Sequence, residues 1–101
     1  MNKTKQMRLR FVRFGIWDSV LADIYDTFTL YGERFCVTNS VDDDGELSRY
    51  FLTNHFKAGL CVGRENFKSI TRAKEHARQR LLMEGKTNIL KYIKKWPVIN
   101  F

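Results

Sequence analysis

The hydrophobic period changes along this chain, and that change restricts the fold more than any other feature of the sequence. Residues 7–14 alternate in polarity, so that Met7 and Leu9 share one side while Arg8 and Arg10 share the other. A period of two is typical of a strand with one buried face, and arginines on the other face suit the edge of a sheet. The last third of the chain instead repeats at helical spacing. The sequence therefore predicts a mixture of strands and helices.

Residues 17–28 are predicted to form a helix. Asp18 or Ser19 would cap its start. An alternative is a strand over residues 24–31, because two threonines alternate there with apolar residues. The helix is favoured because apolar side chains recur along one side at Trp17, Val20, Leu21, Ile24, Tyr25 and Phe28.

The middle of the chain, residues 34–63, is predicted to form an antiparallel meander. Gly45 follows three aspartates and can adopt a positive φ, as a tight turn requires. The strands are predicted at 34–41, 47–56 and 60–63, with turns at 42–45 and 57–59.

Two helices are predicted to follow, over residues 69–85 and 87–96. Ser69 suits the N-cap of the first and Gly85 suits its end. Alanines in the apolar stripe of this helix would let its backbone approach a sheet closely. Pro97 would end the second helix.

Together these elements predict an α+β fold. A small antiparallel sheet, made of the three-strand meander plus the N-terminal strand, would be packed by two to three helices in the order β-α-β-β-β-α-α. The 101 residues suit one domain, and no repeat or Gly/Ser-rich linker divides them. A single domain over residues 1–101 is expected.

Targeting features favour the cytoplasm. No apolar run reaches the roughly 20 residues of a membrane-spanning helix, and the first residues are polar and basic, unlike a signal peptide. No membrane partner is expected. Cys36 and Cys61 lack the close spacing of zinc ligands, and we expect both as buried free thiols, with an inter-strand disulfide as the alternative.

Few residues suit bond-making chemistry. His55 and His76 are the two histidines, and a nucleophilic pair would need Cys36 or Cys61 beside His55 on one sheet face. The acidic run at residues 42–46 lacks the ligand spacing of an EF-hand. The chain is therefore predicted to be non-enzymatic, with no catalytic residue, no metal and no cofactor.

The charge of the chain is polarised. The formal net charge is +7, yet residues 18–46 carry eight acids against one arginine. Residues 1–13 carry five basic residues and no acid, and residues 64–95 carry ten basic residues and three acids. Such a field attracts polyanions or acidic protein surfaces.

The first strand and the basic helix are therefore the predicted nucleic-acid surface. The free N–H groups at the start of the helix, residues 69–72, would suit a phosphate, and Phe51 could stack on bases from the sheet face away from the helix. Phosphate contacts are predicted for Arg8, Arg10, Lys68, Arg72, Lys74 and Arg78.

The order helix, three antiparallel strands, helix resembles the double-stranded-RNA-binding domain. In that family a Ser or Thr opens the last helix, followed by two lysines, then Ala-Lys and a later Ala. Ile70 and Thr71 stand here in place of the two lysines, which are the family's phosphate contacts. A three-strand sheet followed by such a helix is also similar to small DNA-binding domains of some integrases. The resemblance implies nucleic-acid binding and is carried by Ser69, Ala73, Lys74 and Ala77.

The alternative function is a small inhibitor or adaptor that acts by protein–protein contact, with a nucleic-acid-handling protein as its partner. Small dipolar domains of this type are common among phage and mobile-element accessory proteins, including anti-defence proteins. Leu82 and Met83 would lie outside the apolar stripe of the main helix. They would have to pack against the second helix, against residues 98–101, or against a second copy in a homodimer. Protein contacts are predicted for Asp42, Asp43, Asp44, Leu82, Met83 and Trp96.

Overall fold

The computed structural model describes residues 5–62 and 65–95, in which five strands are followed by two helices. All strand pairs are antiparallel. The predicted α+β class is therefore confirmed, whereas the predicted order of elements is partly wrong. The elements are β1 (Gln6–Arg13), β2 (Ile16–Asp23), β3 (Asp26–Leu30), β4 (Glu33–Val41), β5 (Leu47–His55), α1 (Ile70–Glu84) and α2 (Lys86–Lys95).

The predicted helix over residues 17–28 is wrong, because this segment contributes to two strands. The turn Phe14-Gly15 joins β1 to β2, and Tyr31-Gly32 joins β3 to β4. The four φ angles are positive, at 52°, 74°, 56° and 76° along the chain, as a two-residue type I′ hairpin turn requires. Since a tight hairpin fixes each end of the segment, strand alternation prevails over the helical spacing of its apolar residues. The alternative, a strand over residues 24–31, is close to β3.

The strands divide into two sheets. β1 and β2 form a two-stranded hairpin, and β4 is the central strand of a three-stranded sheet with the order β3-β4-β5. The N-terminal strand is therefore separate from the sheet it was predicted to join. β4 and β5 match the first two predicted meander strands, and the predicted turn at residues 42–45 joins them.

The third predicted meander strand, residues 60–63, is wrong. Within the described part of this segment the only ladder contact is an isolated bridge between Asn54 and Cys61, and residue 63 lies outside the described residues. The turn before it is present: the N–H of Gly59, at φ 65°, donates to the carbonyl of His55 at 2.9 Å.

The three-stranded sheet lies between the hairpin and the helices, so the fold has three layers. On one face Phe35 packs with Leu81 of α1 and Ile89 of α2. On the other face Cys36 packs with the hairpin, against Met7, Leu9 and Ala22. Because successive strand residues point to opposite faces, neighbouring residues of β4 serve the two cores.

Helix α1 has the ends that its sequence predicts. The hydroxyl of Ser69 accepts the backbone N–H of Arg72 at 3.3 Å, and the N–H of Gly85 donates to the carbonyl of Leu81. Its alanine stripe is buried, and the hydroxyl of Thr53 on β5 donates to the carbonyl of Ala73 at 3.1 Å. This contact brings the helix backbone against the sheet. The predicted second helix is present as α2, while Trp96 and Pro97 lie outside the described residues.

None of the helices in the described ranges has the length and apolar character needed to cross a membrane. The order helix, three strands, helix, on which the resemblance to the double-stranded-RNA-binding domain rests, is not formed. A three-stranded sheet followed by a helix is present, as β3, β4, β5 and α1.

Candidate nucleic-acid interface

The β1–β2 hairpin has one buried face and one face turned away from the protein. Alternation buries Met7, Leu9 and Ala22 against the central sheet, with exposed fractions of 4% or less. The residues of opposite parity point away from that core. Besides the end pair Gln6 and Asp23, they form what we call the outer face: Arg8, Arg10 and Val12 on β1, with Trp17, Ser19 and Leu21 on β2.

Arginine and tryptophan are in direct contact on the outer face. Arg10 is opposite Ser19 and Val12 is opposite Trp17, so Arg10 and Trp17 are diagonal neighbours across the strand pair. The guanidinium carbon of Arg10 lies 4.7 Å from the centre of the Trp17 ring, a cation–π distance. Trp17 is nevertheless 54% exposed. The large aromatic ring beside the guanidinium is thus accessible to a partner.

The tip of the hairpin continues this pattern. Phe14 is 88% exposed, and the guanidinium carbon of Arg13 lies 5.3 Å from the centre of its ring. Ile16 is also exposed. Folding buries the inner face of the hairpin but leaves this apolar tip in contact with solvent.

Carboxylates of the hairpin lie away from the centre of the outer face. Asp18 has the parity of the inner face, and its Oδ1 accepts the N–H of Ser19 at 2.7 Å. Asp23 lies at the far end of β2, where its Oδ1 accepts a hydrogen bond from Gln6 Nε2 at 3.0 Å. Asp23 shares the parity of the outer face, where it is the diagonal neighbour of Arg8 across the strand pair, two positions beyond Leu21.

The basic residues predicted on the helix do not join this surface. α1 packs on the opposite face of the central sheet from the hairpin. Lys74 Nζ lies 3.1 Å from Asp26 Oδ2 on β3. Arg72 and Arg78 are both exposed but are six positions apart, which places them about 120° apart around the helix. Lys68 precedes the helix and is exposed. The six predicted phosphate-contacting residues are thus divided between two sides of the protein.

The predicted position of Phe51 is wrong. Phe51 has the same parity on β5 as Thr53, whose hydroxyl contacts α1, so it lies on the helix side of the sheet. There it is half-buried, in an edge contact with Tyr25 at 5.3 Å between ring centres, and it forms a backbone bridge with Phe67. The alternation of β5 was predicted correctly, but the side of the sheet that carries Phe51 was predicted to face away from α1 and instead faces it.

The residues predicted for protein contact lie in two places. Asp42 stabilises its own turn, since its Oδ1 accepts the N–H groups of Asp44 and Glu46 at 2.9 and 3.0 Å. Asp43 and Asp44 are exposed. Leu82 and Met83, at the end of α1, are 52% and 87% exposed, so α2 does not cover them. Trp96 lies outside the described residues.

Cys36 does not lie beside His55, as a nucleophilic cysteine–histidine pair with that thiol would require. Cys36 pairs with Asn54 and faces the hairpin, whereas His55 pairs with Phe35 and faces the helices. Burial raises the pKa of the Cys36 thiol to about 11, against the smaller, opposing effect of the Arg34 charge. Both cysteines are thiols, so the alternative of an inter-strand disulfide is not formed; Cys61 is exposed, contrary to prediction.

Both ring nitrogens of His55 have partners. The N–H of Ala58 donates to Nδ1 at 3.2 Å, so Nδ1 carries no proton. Nε2 then holds the proton and donates to Glu33 Oε2 at 3.1 Å. His55 thereby links the turn after β5 to β4. No cluster of metal-ligating side chains occurs in residues 5–62 and 65–95.

The sequence interpretation missed the aromatic half of the hairpin. Trp17 was assigned to the buried side of a helix, and Phe14 was treated as the end of a strand. The available signal was Phe14-Gly15, a two-residue loop between two segments that can both alternate, and it recurs as Tyr31-Gly32.

Comparison with known proteins supplies no relative: no family model, curated protein or solved structure matches the chain.

Proposed function

We propose that this protein binds nucleic acid through the outer face and tip of the β1–β2 hairpin. The observation that supports this most is the contact of Arg10 with the exposed ring of Trp17. Arginines neutralise phosphates, and an aromatic ring beside them offers a surface on which an unpaired base can stack. Nucleic-acid binding thus rests on the arrangement of these groups rather than on net charge alone.

Single strands are the preferred class in this proposal. Stacking on Trp17 or Phe14 needs a base whose face is accessible, and a paired duplex presents such faces only at its ends. A two-stranded ribbon can also enter a major groove, so duplex binding is the natural comparison. Arg8 and Arg10 would contact backbone phosphates in either case.

Fluorescence anisotropy tests the proposal. Labelled single-stranded and duplex DNA and RNA would be titrated with the protein at several salt concentrations. Affinity is expected to be higher for single strands and to fall as salt rises, with a slope of about −0.7 in log affinity per phosphate contacted. Absence of binding to all four nucleic acids at low salt would end the proposal.

The competing proposal is an inhibitor or adaptor that acts through protein contact. Exposure of Leu82 and Met83, adjacent at the end of α1, favours it, because exposed apolar side chains close together are typical of interfaces. Affinity capture from extract of the native host, with and without nuclease, separates the two classes. A discrete protein partner retained after nuclease supports protein contact, while material lost on nuclease treatment supports nucleic-acid binding.

A further inference from the structure

A cavity lies between the hairpin and the central sheet. Its volume is about 360 Å³, and it is open on one side of the molecule. This is near the lower end of the range for small-molecule sites, about 300–1,000 Å³. It therefore suits one compact ring system better than an extended ligand. Its apolar lining comes from Leu9, Phe11, Val41, Leu52 and Leu60.

The cavity also contains a buried polar group with an unused acceptor. Asn54 is 4% exposed and lines the cavity. Its Nδ2 donates to the hydroxyl of Thr38 at 2.9 Å and to the carbonyl of Leu52 at 3.3 Å. A carbonyl can only accept, so the nitrogen must be on that side of the amide, and Oδ1 faces the other way.

Asn54 Oδ1 accepts no hydrogen bond from the described residues. Among those residues, every fully buried side-chain nitrogen or oxygen has a hydrogen-bond partner. The oxygen is therefore not fully buried. Because Asn54 lines the cavity, we assign its Oδ1 to that space. A ligand N–H placed there would satisfy this oxygen. Because both amide protons are already donated, Asn54 offers one acceptor and not the two-bond contact that Asn can make with adenine in a groove.

These features describe a ligand with two apolar faces and an N–H at its edge. Apolar walls on several sides favour a flat ring, and the single inward acceptor selects for a donor on its rim. Nucleobases have this chemistry, since their faces stack on apolar groups and their edges carry N–H groups. Ser40, which also lines the cavity and shares a 2.6 Å hydrogen bond with Ser48, adds a second polar contact.

We infer that this cavity binds one unpaired nucleobase, held by an N–H to Asn54 Oδ1. The inference rests on the proposed function for its biological setting, because Arg10 belongs both to the outer face and to the cavity lining. A strand lying on the outer face would pass the edge of β1 and place one base in the cavity. The base could also come from a free nucleoside, and the experiment separates the two sources.

Thiol labelling provides the readout. Cys61 is exposed and lines the cavity, while Cys36 is fully buried and its thiol has a pKa of about 11. An alkylating reagent at neutral pH therefore modifies Cys61 alone, and mass spectrometry verifies a single adduct. Adenosine is compared with purine riboside, the same nucleoside without its 6-amino group.

Adenosine is expected to slow the modification of Cys61, with an apparent affinity about tenfold higher than that of purine riboside, because only adenosine satisfies the buried oxygen. Equal protection by the two nucleosides, or protection by neither, overturns the inference. Val41→Phe, which fills the cavity, should abolish protection, and Leu82→Phe on the far side of the protein is the matched control.

A second measurement avoids any dependence on variant folding. Wild-type protein is modified at Cys61 with a benzyl or a methyl methanethiosulfonate, and adenosine binding is measured by calorimetry. The bulky benzyl adduct should abolish binding, while the methyl adduct should change it less than about threefold. Undiminished binding to the benzyl adduct contradicts the location of the site.

Oligonucleotides then separate this inference from the proposed function. Binding of oligonucleotides without any protection by adenosine overturns the cavity while leaving the hairpin surface intact. Protection by adenosine without oligonucleotide binding supports the cavity as a site for a free nucleoside and overturns the hairpin proposal.

Discussion

The β1–β2 hairpin and helix α1 both carry several basic residues, but they differ in the side chains that lie between the cations. In α1 the apolar stripe of Ala73, Ala77 and Leu81 is buried against the sheet, and Lys74 is paired with Asp26. On the outer face of the hairpin the apolar side chains remain exposed beside the arginines. The two elements therefore differ less in their number of positive charges than in the exposed ring, and our proposal uses that ring to choose the hairpin.

The largest effect expected from this comparison is on stability. Leu81→Ala should lower the free energy of unfolding by about 2–5 kcal/mol, because it opens a cavity where α1, α2 and Phe35 meet. Leu82→Ala, at the adjacent exposed position, should change it by less than about 0.5 kcal/mol. Urea denaturation followed by circular dichroism measures both. Similar losses of stability for the two variants would show that the buried apolar stripe of α1 stabilises the fold no more than the exposed side of the helix.

Removal of the exposed ring should produce the next largest effect, on binding. Trp17→Ala is expected to weaken single-strand affinity by about 1–3 kcal/mol through loss of one stacked base. Tyr92→Ala is the matched control, because Tyr92 on α2 is 53% exposed and Trp17 is 54% exposed. Anisotropy titrations should show a change for Trp17→Ala alone. Equal losses of affinity for the two variants would contradict the proposal that the hairpin, and not the helices, contacts the nucleic acid.

The charges should have a smaller effect, with a characteristic salt dependence. The double variant Arg8→Ala/Arg10→Ala should reduce the slope of log affinity against log salt by about 1.4 for a single strand, since each phosphate contact contributes about 0.7. Arg72→Ala/Arg78→Ala removes the same charge from α1 and should leave the slope nearly unchanged. If the helix pair lowers the slope and the hairpin pair does not, the helix is the phosphate-binding element.

The smallest effect concerns the ion pair of α1. Lys74 and Asp26 have side chains 33% and 39% exposed, and such pairs contribute about 0–1 kcal/mol. A double-mutant cycle of Lys74→Gln and Asp26→Asn should therefore give a coupling energy in that range, with nucleic-acid affinity unaltered. A large loss of affinity in Lys74→Gln would instead return Lys74 to the phosphate-binding residues.

The parts of the fold that were predicted correctly are those where the hydrophobic period agrees with the residues that begin and end the element. The alternation of β1, the Gly45 turn between β4 and β5, and the Ser69 and Gly85 ends of α1 are all local features that the structure retains. Residues 17–28 failed because Val20, Leu21 and Ile24 fit a helical stripe as well as two strands. The two hairpin turns decide the outcome there, and each depends on a single glycine that follows an aromatic residue.

The candidate surface was only half predictable for the same reason. Arg8 and Arg10 were identified because β1 was recognised as a strand with an arginine face. Trp17 could not be placed beside them, because its register with Val12 exists only once β2 is paired with β1. The layer on which Phe51 lies depends on which sheet face α1 covers, and strand alternation alone does not specify that choice.

The most direct test of the account is to map the bound strand on the protein. A short single-stranded oligonucleotide would be titrated into isotopically labelled protein, and amide chemical-shift changes would be followed by NMR. The account predicts that the largest changes occur in residues 8–21, with little change in residues 70–84. Changes concentrated on α1, with the hairpin amides unmoved, would contradict it.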